Sequence, residues 1–143
     1  MKNSKKLFLI FLSVLIVAFV SCKKDSGGSI TTPTPTFKPS SLVGNWKSGN
    51  DKFNMTDEGK ITTISINGIS VSDYTITTWA DKKDTEVPKY EVTIEKQNSG
   101  GHTYNFLFTF TSGSNCIVTI TEQGQTPTVT NFTFTKDATA TTK

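Results

Sequence analysis

After Leu42, apolar residues recur at every second position and nowhere at helical spacing over a useful length, which restricts this chain to strands. Tyr90, Val92 and Ile94 alternate with Glu91, Thr93 and Glu95, and Tyr104, Phe106, Phe108 and Phe110 alternate with Asn105, Leu107 and Thr109. Successive side chains on a strand point to opposite faces, so each run presents one face to a core and one to water. The runs are rich in Thr, Ile, Val, Phe and Tyr, the residues that fit a pleated, half-buried surface.

Turn residues separate the runs: Asp57-Glu58-Gly59, Asn67-Gly68, Asn98-Ser99-Gly100-Gly101, Ser112-Gly113-Ser114-Asn115 and Gln123-Gly124-Gln125-Thr126-Pro127. Asn67-Gly68 is the most specific, because a two-residue type I′ turn there pairs Ile66 with Ile69 and Ile64 with Val71, all on one face. About eight strands are predicted, over 42–48, 51–56, 60–66, 69–79, 89–96, 103–111, 116–122 and 128–136. Joined by short turns, they form an antiparallel meander, closing as a small up-and-down barrel or, alternatively, as a two-sheet sandwich. The pattern changes phase between Val71 and Tyr74 and between Val129 and Phe132, which predicts bulges or breaks at both places.

The N-terminus has a different build. Met1 to Lys6 is short and basic, and Leu7 to Val20 is apolar except for Ser13. A spanning helix needs about 20 apolar residues, and this run stops short, so it reads as a secretory signal. Its end, Phe19-Val20-Ser21-Cys22, resembles the lipobox of bacterial lipoproteins, with Phe19 where Leu is usual. The resemblance implies cleavage between Ser21 and Cys22 and a diacylglyceryl thioether on the Cys22 sulfur, followed by acylation of the new amine. At about 0.8 kcal/mol per buried CH₂, several acyl chains make an essentially permanent anchor, and the lipid bilayer becomes the first partner. The Ser-Cys-Lys-Lys-Asp start is similar to that of lipoproteins of the Bacteroidetes group, which implies an outer-membrane address, on either the periplasmic or the cell-surface side.

From Lys23 to Ser41 the chain is Gly, Ser, Thr, Pro and Lys with few apolar residues, including Thr32-Pro33-Thr34-Pro35-Thr36. Such a segment buries too little to fold and, being Pro-rich, extends at about 3.1 Å per residue. The expected organisation is therefore a signal peptide over 1–21, a lipidated Cys22 and tether over 22–41, a β domain over 42–136 and a frayed tail over 137–143. All fifteen basic residues are Lys, and three of them precede Cys22, leaving twelve against twelve acidic residues in the exported part. Without Arg, and without a basic excess, nucleic acid is not an expected partner. Lipidation of Cys22 also leaves Cys116 with no disulfide partner.

The first strand, Leu42-Val43-Gly44-Asn45-Trp46-Lys47, resembles the Gly-x-Trp opening of lipocalins and of the short lipocalin-like domains common in Bacteroidetes lipoproteins. Phe53 and Met55 ahead of Asp57-Glu58-Gly59-Lys60 are similar to that family's second strand and first tight turn; Tyr74 and Phe132-Thr133-Phe134 also fit. The resemblance implies that Trp46 closes the barrel floor beneath a basic residue of the last strand, usually Arg, for which Lys136 is the candidate here. It also implies a ligand cavity. Against that stand the bulky inward residues Tyr90, Tyr104, Phe106, Phe108, Phe110, Phe132 and Phe134, since a small barrel can be filled by its own side chains.

Groups able to do chemistry are few. His102 is the only histidine and lies in a Gly-Gly-His turn, so no metal site and no cofactor are expected. Cys116 opens an apolar run, Cys116-Ile117-Val118, where a thiol packs as a small hydrophobe. Asp57 and Glu58 share a turn and diverge, which makes a poor acid–base pair. Trp79 is out of phase with Tyr74 and Ile76 and precedes the polar stretch Ala80 to Pro88 with Lys82 and Lys83. It reads either as a rim anchor that binds together with those lysines or as a ring folded over the barrel end. The functional expectation is a non-enzymatic binding or interaction module for an envelope protein, displayed from the outer membrane. The alternative is a carrier of a small hydrophobic ligand in the barrel interior.

Overall fold

A computed structural model describes residues 32–124 and 130–138; the chain divides into two compact units, Met1–Pro33 and Thr34–Lys143, and the fold below is that of the second. Nine strands follow one another: β1 (Gly44–Ser48), β2 (Asp51–Met55), β3 (Lys60–Ile66), β4 (Ile69–Val71), β5 (Tyr74–Thr75), β6 (Tyr90–Gln97), β7 (Thr103–Phe110), β8 (Asn115–Glu122) and β9 (Thr130–Lys136). One helical turn, α1 (Trp79–Lys82), interrupts them. They form a single sheet in the order β4-β3-β2-β1-β9-β8-β7-β6, with every pairing antiparallel and β5 lying beside β3 beyond the end of β4. The meander nearly closes into a barrel whose open seam lies between β4/β5 and β6. A single continuous sheet sets aside the two-sheet sandwich.

The turn at Asn67-Gly68 forms as expected. Both residues have positive φ, 53° and 75°, and the register pairs Ile66 with Ile69 and Ile64 with Val71. The phase change after Val71 is also a real break, at Ser72-Asp73 between β4 and β5. The predicted strand over 69–79 does not continue to Trp79, however; the chain leaves the sheet after Thr75 and Trp79 opens α1. The second expected irregularity involves Val129, which lies outside the described residues.

One bulge was not expected. Lys52 pairs with Ser65 and Asn54 with Thr62, so Phe53 alone faces two residues of β3, and Thr63 takes φ 54°. The reason is in the sequence: Ile61 and Ile64 are three apart, and a regular strand would put one of them in water. The extra residue brings Ile61, Ile64 and Ile66 all inside.

The interior is aromatic. Phe53 stacks on Trp46 at 5.7 Å and meets Phe108 and Phe134 at 5.0 and 5.1 Å, while Phe110 stands edge-on to Trp46 at 5.2 Å. These rings and Phe106 are all fully buried, and among the described residues no buried side-chain nitrogen or oxygen lacks a hydrogen-bond partner. The fold also reaches further back than Leu42. Phe37 exchanges backbone hydrogen bonds with Val87 (3.0 and 2.9 Å), the Ser40 amide donates to the Lys83 carbonyl (2.8 Å), and Pro39 and Leu42 are buried in a 3₁₀ turn. Residues 37–41, assigned to the tether from composition, thus belong to the domain, because Phe37, Pro39 and Leu42 give that short stretch enough apolar surface to dock.

Candidate functional site

Gly44, Trp46 and Lys136 come together as the resemblance implied. Trp46 lies directly across from Lys136 in the β1–β9 ladder, and cross-strand partners share a face. The indole N–H of Trp46 donates to the Leu42 carbonyl at 2.9 Å. The Lys136 chain runs past Gly44, where a Cβ would stand 2.9 Å from its Cε, and its ammonium donates to the Ser41 carbonyl at 2.7 Å. Burial of the ammonium pulls the Lys136 pKa below the usual lysine value. Lys136 therefore staples β9 to the segment entering β1, closing the floor under which the aromatic core packs.

Trp79 is not a rim anchor. Its side chain is buried, its indole N–H donates to the Asp57 carbonyl (2.8 Å), and its ring meets Tyr90 edge-on at 6.3 Å. The ring fills the space above Gly59 in the β2–β3 turn. An indole that can reach both an apolar neighbour and a carbonyl gains more by folding inward than by standing in water. Lys82 is exposed and Lys83 half-buried, so the three residues do not converge on one contact surface.

The remaining candidates are dispersed. His102 is exposed with its Nδ1 2.6 Å from Glu122 Oε1. Cys116 is buried between Thr109 and the core, and loss of solvation pushes its thiol pKa up, which suppresses the thiolate a nucleophile needs. A hydrogen bond with Thr56 holds Glu58 below the usual carboxylate value, on an exposed turn. Among the described residues no three of His, Cys, Asp and Glu gather where they would share a metal.

A groove on the outer face of β1, β2 and β3 was missed by sequence reasoning. It encloses about 200 Å³ and is lined by Asn45, Lys47, Lys52, Asn54 and Thr63, reaching down to Trp46 and Phe53. Asn45 and Asn54 are cross-strand partners, as are Lys47 and Lys52, so each pair projects from the same side of the sheet. The Asn54 side-chain amide donates to Asn45 Oδ1 at 2.7 Å, and Lys47 pairs with Asp137 at 2.5 Å. The available signal was the three-residue step from Ile61 to Ile64, which places a bulge at the groove's end.

Compared with protein-family models, with curated proteins and with solved structures, the chain matches none. Its nearly closed antiparallel barrel is compatible with a lipocalin-like fold on geometry alone.

Proposed function

We propose that this chain is a lipoprotein, anchored in the outer membrane through acylated Cys22, whose barrel is a non-enzymatic binding module that makes its contacts from its outer surface. The observation that carries the choice of surface over interior is the packing of Trp46, Phe53, Phe106, Phe108, Phe110 and Phe134, all fully buried and linked ring to ring. Sites for small apolar ligands enclose some 300–1,000 Å³ of largely preformed space, and a core of rings in mutual contact argues against such a space. The anchor rests on the n-region, the length of the apolar run and the position of Cys22.

Two measurements test the two halves. Cells expressing the chain are fed a labelled fatty acid, and the label is expected on the native protein and absent from Cys22→Ser; label retained on the variant removes the anchor. The purified chain is then titrated with a fluorescent long-chain fatty acid. Saturable one-to-one binding, competed by unlabelled fatty acid, would make the barrel a carrier instead.

A further inference from the structure

The groove between Asn45, Lys52, Asn54 and Thr63 is built for a small hydroxylated anion, and we propose that it binds a single sugar unit carrying one negative charge. The inference rests on reading the domain as a module that binds through its outer face, and it names the ligand class.

Charge is the first argument. Lys47 and Lys52 stand directly opposite one another on neighbouring strands, an arrangement that is unfavourable for like charges. The Asp137 carboxylate offsets Lys47, but Lys52 has no ion-pair or hydrogen-bond partner among the described residues. One uncompensated ammonium is thus left at the groove wall, which suits a monoanion and falls short of what a phosphate dianion or a polyphosphate requires.

Hydrogen-bonding capacity is the second. The Asn45–Asn54 bond uses one amide oxygen and one N–H, which leaves the Asn45 amide N–H groups, the Asn54 amide oxygen and its second N–H, and the Thr63 hydroxyl. The exposed lining is mainly carbon with these donors and acceptors set into it, which matches a sugar ring: its hydroxyls each donate and accept, and its C–H face packs on the carbon. No exposed aromatic ring lines the groove, so a neutral sugar would lack a stacking platform and recognition falls to these amides and to Lys52. Size is the third argument: about 200 Å³ lies below the range of drug-sized sites and admits one ring. The bulge at Thr63 fixes the end wall in a backbone conformation that a β-branched residue rarely adopts, so that wall is set by the fold.

The test uses the ¹⁵N-labelled full chain in detergent micelles, titrated separately with glucuronate, glucose 6-sulfate, glucose and inorganic phosphate while amide shifts are followed. Glucuronate or the sulfate ester is expected to give saturable shifts confined to Asn45, Lys47, Lys52, Asn54 and Thr63, the two probes separating a carboxylate from a sulfate preference. Glucose is expected to bind about tenfold more weakly or worse, the worth of one charge-assisted hydrogen bond. Lys52→Met should abolish the preference for the charged sugar over glucose, and Lys82→Met should leave that preference intact. Three results overturn the assignment: no saturable shift with either acidic sugar, phosphate moving the same amides as strongly, or Lys52→Met without effect. If they occur while the fatty-acid titration is also negative, the surface-binding module survives and this ligand class falls.

Discussion

Replacing Gly59 by Ala tests how the barrel end is sealed. Gly59 has φ 76°, and a Cβ on it would stand 2.2 Å from Trp79 Cγ and 2.4 Å from Trp79 Cβ. Two costs arise: an L-residue in the left-handed region loses about 1–2 kcal/mol, and moving the indole costs about 1–3 kcal/mol as overpacking. Loss of the whole Trp79 contact, about 3–5 kcal/mol, is the ceiling on the second term. Gly59→Ala is thus expected to lower stability by roughly 2–5 kcal/mol, a large part of the 5–15 kcal/mol typical of a domain. Gly68 is the internal control, with φ 75° and nothing within 4 Å of the added Cβ, so Gly68→Ala carries the backbone cost alone. Urea unfolding followed by far-ultraviolet circular dichroism measures both without relying on Trp79 fluorescence. In a Trp79→Gly background every clashing carbon is gone, and Gly59→Ala should then cost no more than Gly68→Ala. Equal losses for the two glycine variants in the native background, or additivity of Gly59→Ala with Trp79→Gly, would refute the seal.

Burial raises the Cys116 pKa, so the folded state keeps a proton that the unfolded thiol releases above about pH 8.5, and stability falls as pH rises beyond that point. The expected slope is about 1.4 kcal/mol per pH unit from this group, and Cys116→Ala should remove it, as read from urea midpoints between neutral pH and pH 10. Lys136 has the opposite sign: its folded pKa lies below the ordinary value, so burying the ammonium costs stability at neutral pH, a cost relieved as pH rises through the folded pKa. Lys136→Met keeps the stem against Gly44 and gives up the bond to the Ser41 carbonyl, so a change within about 1 kcal/mol is expected at pH 7. Lys136→Ala should cost more because it also strips the packed stem; thermal unfolding of the two variants orders them, and a costlier Met variant would contradict this account.

The strands and their order were legible because period two survives in nearly every run. Tyr90, Val92 and Ile94 are buried and Glu91, Thr93 and Glu95 exposed, as the alternation requires. The Trp46–Lys136 closure was legible only through a resemblance, since nothing local connects residues 90 apart in sequence. Trp79 could not be placed from sequence: its phase showed that it leaves the strand, but whether the ring turns in or out depends on Gly59, on the Asp57 carbonyl and on Tyr90, all distant along the chain. Residues 37–41 were misread because Thr-Pro composition dominates the segment, although Phe37, Pro39 and Leu42 carry the docking. The groove escaped because its residues look like an ordinary polar strand face until β1, β2 and β3 are set side by side.

The departures from period two have a common use. At Thr63 the extra residue keeps three isoleucines inside and bends the outer face into a groove. After Thr75 the chain abandons the sheet for the turn that Trp79 opens, before the barrel is hydrogen-bonded shut, leaving β6 with one free edge among the described residues. That edge carries Glu91 and Glu95 on its outward side, with Lys89 bound to Glu91 at 3.0 Å. Two copies meeting antiparallel about Thr93 would set Glu91 of one against Glu95 of the other, a repulsion that discourages edge-to-edge growth. With rings packed against one another in the core and carboxylates along the free edge, the binding surface proposed above is the outer sheet face, where Lys52 stands beside the groove without an ion pair among the described residues.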